Sequence, residues 1–181
     1  MNIIQLRSIK NLHVLKESIK EYFGIILKQG KPLYFVTLTF PITWRQKALQ
    51  DHLSKIRYYL KLTNRRKKVP TDNFDYIWIK EEGKNRNIHF HLIINWNYHS
   101  YGQVQKDWNY IIGEAATTPS THVDRIYNQD SLNKCINYIF KELMYTEDDG
   151  RIQNYGLSLN CSHYLTNEIK EKRIILPYTI L

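Results

Sequence analysis

Residues 75–81 (DYIWIKE) and 88–94 (IHFHLII) are two short runs dense in β-branched and aromatic side chains. The polar segment 82–87 (EGKNRN) joins them. Runs of this length bounded by polar residues read as strands, and the short connection predicts an antiparallel hairpin. The second run is apolar at Ile88 and again through Leu92, Ile93 and Ile94. A strand flanked in this way belongs in the middle of a sheet rather than at a wet edge.

The remaining elements are predicted around that hairpin. Leu12, Leu15, Ile19, Phe23 and Ile26 recur at spacings of three and four and form the stripe of an N-terminal helix, with Gly30 and Pro32 to end it. Residues 34–40 read as a strand closed by Pro41. Thr43 and Gln46 fit a capping box for a helix carrying Leu49, Leu53, Ile56 and Leu60. Residues 103–112 read as helix, 121–126 as strand and 131–145 as helix. The tail, through residues 155–159 and 174–176, is expected to add a strand and a docking segment. The order predicts an α+β fold: an antiparallel sheet with the 88–94 strand central and helices packed on it.

The chain has 181 residues and shows no internal repeat, which predicts one globular unit over 1–181 with an N-terminal helix and a C-terminal extension. Lysine and arginine number 26 against 17 aspartate and glutamate, a net charge of +9 that favours a polyanionic partner. Two cysteines, Cys135 and Cys161, rule out a disulfide framework and fit a reducing cytoplasm. No apolar stretch approaches the length of a spanning helix, and the first residues lack the apolar core of a secretory signal, so no membrane association is expected.

His89 and His91 carry the first chemical signal. Strand period places both imidazoles on one face and Phe90 and Leu92 on the other. An isolated His-x-His is more commonly a pair of surface histidines, but a central strand is a poor place for two imidazoles without a role. Together they make a two-nitrogen grip on a divalent cation. A carboxylate from the other arm of the hairpin completes the set. Glu81 and Glu82 both qualify, because the register is open. Two histidines, one carboxylate and open positions for water and phosphate suit Mg²⁺ or Mn²⁺ better than closed tetrahedral zinc.

The second signal lies on the 131–145 helix. Leu132, Ile136, Ile139, Phe140 and Leu143 cluster on one face, and Lys134, Tyr138, Lys141, Glu142 and Tyr145 on the other. A core role for Tyr138 is therefore disfavoured, and an exposed tyrosine is the bland alternative. A phenol, with a pKa near 10, becomes a nucleophile only when its anion is stabilised. Lys141, one turn on, and a nearby cation would supply that stabilisation. The basic run Arg65, Arg66, Lys67 and Lys68, and Lys84 and Arg86 in the hairpin loop, are candidate phosphate contacts; a solvated loop is the alternative for the run.

Taken in order, these pieces resemble the HUH endonuclease superfamily, in particular the rolling-circle replication initiators (Rep proteins) of filamentous phages and plasmids. Phe35 to Phe40 (FVTLTF) is similar to the first motif, His89-Phe90-His91 to the second, and Tyr138-Ile139-Phe140-Lys141 to the third. Glu81-Glu82-Gly83 is similar to the Glu-x-Gly that some members carry, which favours Glu81 as the acidic ligand. The resemblance implies a sheet with the tyrosine helix lying over the histidines. It also implies a metal-dependent enzyme that nicks and rejoins single-stranded or hairpin DNA at a replication origin. Tyr138 would be left joined to the 5′ phosphate, with Lys141 assisting. No Walker-type phosphate loop is present, which implies a host helicase and polymerase as partners. Two other readings fit the charge: a basic single-stranded nucleic-acid-binding module that does not cut, with 14 tyrosines as stacking platforms, and a minimal relaxase or transposase using the same chemistry.

Overall fold

In a computed structural model, residues 9–66, 74–82, 87–96, 101–113, 121–145 and 155–171 are described. They form five helices, one short 3₁₀ turn and one five-stranded antiparallel sheet. The helices are α1 (Ile9–Lys28), α2 (Leu49–Arg65), α3 (Tyr101–Ile112), α4 (Gln129–Tyr145) and α5 (Leu159–Glu171). The strands are β1 (Leu33–Thr39), β2 (Tyr76–Glu82), β3 (Ile88–Asn95), β4 (Thr121–Ile126) and β5 (Tyr155–Leu157). Their order across the sheet is β4-β1-β3-β2-β5, which puts the His-x-His strand in the centre as expected.

The sheet is covered on both sides, and period two sorts the residues. One face presents Leu33 and Phe35 of β1, Ile77 and Ile79 of β2, Ile93 of β3 and Ile126 of β4. Against them pack Leu15, Ile19, Phe23 and Ile26 of α1, Leu132, Ile136, Ile139 and Phe140 of α4, and Cys161 and Leu165 of α5. The other face presents Val36, Leu38, Trp78, Ile88, Phe90, Leu92 and Ile94 to α2 and α3. Burial of apolar area at about 25 cal/mol per Å² favours both layers. A continuous apolar strand such as β3 is the consequence of being covered on both sides.

Local signals account for the element ends. Gly30, at φ +74°, closes α1 in a Schellman arrangement: the Gly30 amide donates to the Leu27 carbonyl and the Lys31 amide to that of Ile26. At the start of α4 the Ser131 amide donates to Asn128 Oδ1, and the Asn128 amide donates back to Ser131 Oγ. This reciprocal pair satisfies two amides that the helix leaves open.

Two expectations are corrected. The Thr43–Gln46 capping box is not formed. Pro41 opens a 3₁₀ turn over Ile42–Trp44, so Thr43 lies inside a turn, and α2 begins after Ala48, which makes no side-chain cap. The tail holds a helix, α5, that the sequence reading did not separate from the strand before it. Ser158 starts it: the Cys161 amide donates to Ser158 Oγ, which itself donates to the buried carboxylate of Asp75. The predicted capping turn and the α5 stretch both lacked a strong apolar period to arbitrate. The expected docking segment at 174–176 lies outside the described residues.

Candidate active site

The apolar pattern of the α1/α4/α5 face breaks at one end of the sheet. There β1 contributes Thr37 and Thr39 where its earlier residues on the same face are Leu33 and Phe35. In β3 the same face carries His89 and His91 before Ile93, and in β2 it carries Glu81 after Ile77 and Ile79. The register brings these breaks together. Thr37 stands opposite His91, Thr39 opposite His89, and His89 opposite Glu81. Glu82 pairs with Ile88 and so belongs to the opposite face.

Hydrogen bonds fix the imidazoles. Thr37 Oγ1 lies 2.9 Å from His91 Nδ1, and Thr39 Oγ1 lies 2.9 Å from His89 Nδ1. His91 Nε2 meets Glu81 Oε2 at 2.5 Å. The His89 and His91 rings are nearly parallel, with centroids 6.2 Å apart. The backbone beneath is anchored from both sides: the Trp108 indole of α3 donates to the Thr39 carbonyl, and the Phe40 amide donates to that of Ile88.

Burial dominates the electrostatics. His91 is 4 % exposed, and desolvation lowers the pKa of both histidines below the ordinary imidazole range. The Glu81 carboxylate opposes that shift in each case, by hydrogen bond and charge at His91 and by charge at His89. Both rings therefore lean towards the neutral form, which is the form that offers a lone pair to a cation.

α4 lays Tyr138 over this cluster. Its ring stands edge-on to His91, centroids 5.2 Å apart, and edge-on to Phe35 at 6.1 Å. Unlike the apolar stripe of the same helix, Tyr138 is 48 % exposed. Lys141, one turn further, is exposed. On the same face of the sheet, the edge strand β4 carries His122 and Asp124, exposed and joined at 2.7 Å, with His122 opposite Thr37.

The donor set suits a hard divalent cation: two imidazole nitrogens and one carboxylate, with both Nδ1 atoms already held by hydroxyls. Among the described residues, no three His, Cys, Asp or Glu side chains stand at metal-holding spacing as they are placed, because Glu81 closes directly on His91 Nε2. A cation would enter by taking that nitrogen and that oxygen from each other.

The candidate phosphate contacts are scattered. Arg65 ends α2, and Arg66 follows it as the C-cap. The Arg66 guanidinium is engaged by the buried Asp107 carboxylate of α3, which also accepts from Gln103 Nε2 at 2.8 Å. Arg66 thus ties α2 to α3. Lys67, Lys68, Lys84 and Arg86 lie outside the described residues. The sequence reading quoted Thr37 and Thr39 within a motif but gave them no role. The available signal was their period-two spacing opposite the histidine pair.

Fold and site together define an α+β protein with a histidine, carboxylate and tyrosine cluster at one end of an antiparallel sheet. Residues 33–146 match the family described as replication-associated protein of the ORF2 type, and the chain belongs to that family. All of Thr37, Thr39, Glu81, His89, His91 and Tyr138 fall within the matched span. Among solved structures, the hypothetical protein ORF119 from Sulfolobus islandicus rod-shaped virus 1 is similar at 15% identity and a TM-score of 0.48, over 68% of this chain and 93% of that one. No curated protein matches the chain. No helix among the described residues is long and apolar enough to cross a membrane.

Proposed function

We propose that this replication-associated protein is an HUH-type endonuclease that nicks and rejoins single-stranded DNA at a replication origin and so initiates rolling-circle replication. The observation that carries the reading is the placement of Tyr138. Its ring lies against His91, whose other side meets Glu81, on the one stretch of this sheet face that is polar.

Glu81, His89 and His91 would hold one Mg²⁺ or Mn²⁺, which when bound supplies positive charge against a phosphodiester oxygen. The remaining chemistry belongs to the chain. The Tyr138 oxygen attacks phosphorus, the tyrosyl–phosphate bond forms, the bond to the 3′ oxygen breaks, and a 3′ hydroxyl is released. The phenolic proton leaves for solvent or a neighbouring base as the new bond forms. Reversal by a 3′ hydroxyl rejoins the strand and frees the tyrosine. Lys141 is suited to hold a phosphate oxygen or the phenolate, being one helical turn away and exposed. Arg65, Lys67, Lys68, Lys84 and Arg86 are proposed to track the DNA backbone, in keeping with the +9 charge. Host helicase and polymerase would extend the released 3′ end in the cytoplasm.

The test is a covalent adduct. The protein is mixed with a pool of short single-stranded DNAs and Mn²⁺, and denaturing gels are read for a shifted band. Wild-type protein should give the band. Tyr138→Phe should lose it completely and Tyr145→Phe should keep it, with mass spectrometry placing the nucleotide on the Tyr138 peptide. An adduct on Tyr145, or DNA binding with no adduct under any metal, would sink the nicking assignment.

A further inference from the structure

We propose that Thr37 and Thr39 are positioning residues that set which nitrogen of His91 and His89 carries the proton, and thereby present both Nε2 atoms to a divalent cation. The inference rests on reading Glu81, His89 and His91 as the ligands of that cation.

Threonine in a strand ordinarily needs no explanation beyond β-propensity. Here both hydroxyls do something specific. Each lies 2.9 Å from the Nδ1 of the imidazole directly opposite in the β1–β3 register. With Nδ1 held towards β1, the far nitrogen of each ring is directed away from it, and His91 Nε2 accordingly meets Glu81 on β2. The hydroxyls are themselves placed on a fixed backbone, since the Thr39 carbonyl accepts from Trp108 Nε1 at 2.8 Å and the strand pairing continues through Phe40 to Ile88.

A hydroxyl is the one common neutral group that both donates and accepts. In the arrangement described, His91 Nε2 lies on a carboxylate and holds a proton, so Nδ1 of the neutral ring is an acceptor and Thr37 donates to it. When the Nε2 lone pair is given to a cation, the single ring proton must reside on Nδ1, and Thr37 accepts it. Only the hydroxyl hydrogen turns; no neighbour has to leave. A backbone carbonyl would serve the second state alone, and a methyl group neither.

Charge follows from the same choice. A carboxylate behind each histidine would strengthen the grip and add negative charge. Hydroxyls add none, so Glu81 is the only formal charge of the proposed ligand set. A divalent cation there leaves one net positive charge, which matches one phosphodiester. The pair of threonines thus favours a labile cation and an anionic ligand over a tightly held structural metal.

The test uses the full chain with Thr37→Val, Thr39→Val and the two Thr→Ser variants. Valine keeps the β-branch and the strand, and serine keeps the hydroxyl. Mn²⁺ affinity is measured by calorimetry, and histidine ring nitrogens are observed by ¹⁵N NMR with and without Mg²⁺. Each valine should weaken Mn²⁺ by about 10–100-fold, the range typical of outer-shell partners, while serine restores it. With Mg²⁺, wild-type His89 and His91 should show Nδ1–H, and the valine variants a mixture of tautomers. Valine variants that bind Mn²⁺ like wild type, while His91→Ala loses binding, would overturn the threonine role alone. Serine variants as weak as valine would also overturn it. Wild-type protein that binds Mn²⁺ no better than His89→Ala and His91→Ala would overturn the cation reading, and this proposal with it.

Discussion

The two faces of β3 are built from alternate residues of one eight-residue strand, yet they obey different rules. Towards α2 and α3 it offers Ile88, Phe90, Leu92 and Ile94, each at most 5 % exposed, in a layer closed by Trp108 and Tyr59. Towards α1 and α4 it offers Ile93, but also His89 and His91, held by threonines and a carboxylate. The first face is interchangeable in kind, because any well-packed apolar set would serve it. The second is not, because each polar side chain there has a named partner. Proteins built on such a strand can therefore vary one side of it freely while the other is pinned residue by residue.

Adjacent residues on opposite faces give the sharpest way to break the contrast. Phe90→Ala should destabilise the protein by about 3–5 kcal/mol, the usual cost of a large cavity in a closed core. His89→Ala, at a half-buried position, should cost much less stability and remove the covalent adduct. Chemical denaturation and the adduct gel, run on both variants, read the two effects separately. Equal stability losses would show that the polar end also carries the fold.

A second contrast sits in the basic run. Arg66→Ala leaves the buried Asp107 with Gln103 alone and should lower stability by about 1–3 kcal/mol. Arg65→Ala should leave the melting temperature unchanged and weaken single-stranded DNA binding, with a log–log salt slope smaller by roughly 0.7. If Arg66→Ala melts like wild type, the α2–α3 tie is only a surface pairing.

At the far edge of the sheet, a Cβ on Gly156 would come within 2.4 Å of the Trp78 ring. Gly156→Ala should therefore cost about 1–3 kcal/mol through overpacking, seen as a lower denaturation midpoint. Little effect on adduct formation is expected, because Trp78 faces the other layer.

The smallest effect is on pH. Burial lowers the pKa of His52, which lies in the α2 layer, as it does for His89 and His91. Groups whose folded pKa is depressed bind fewer protons folded than unfolded. Stability is then full above the unfolded value, near 6.5, and declines as pH falls through it towards the folded values. Metal-free protein should melt lower at pH 5.5 than at pH 7.5, and His52→Phe should flatten that slope. A melting temperature that rises on acidification would contradict the neutral assignment.

Much of this was legible in the sequence, for identifiable reasons. β3 was marked as central by Leu92 to Ile94, and Tyr138 was kept out of the core by the helical phase of Ile136, Ile139 and Phe140. Glu81 and Glu82 could not be separated by periodicity, since only the pairing Glu81 to His89 decides which carboxylate faces the histidines. Thr43 resembled a cap because it stands three residues before Gln46, and nothing local announced that Pro41 would start a 3₁₀ turn. α5 was lost because its start depends on Ser158 meeting Asp75, a residue 83 positions earlier. The partnership of Thr37 with His91 spans 54 residues and is likewise a property of the sheet rather than of any segment.

The sheet order also sets a timetable for synthesis. β1, β2 and β3 are complete once the ribosome has passed Asn95, so the threonines, the carboxylate and the histidines can assemble early. Tyr138 comes 43 residues later, on a helix that packs against the much earlier α1. A nascent or truncated chain thus holds the polar pocket without its phenol. Whatever Tyr138 does to a nucleic acid is withheld until α4 has been made and docked.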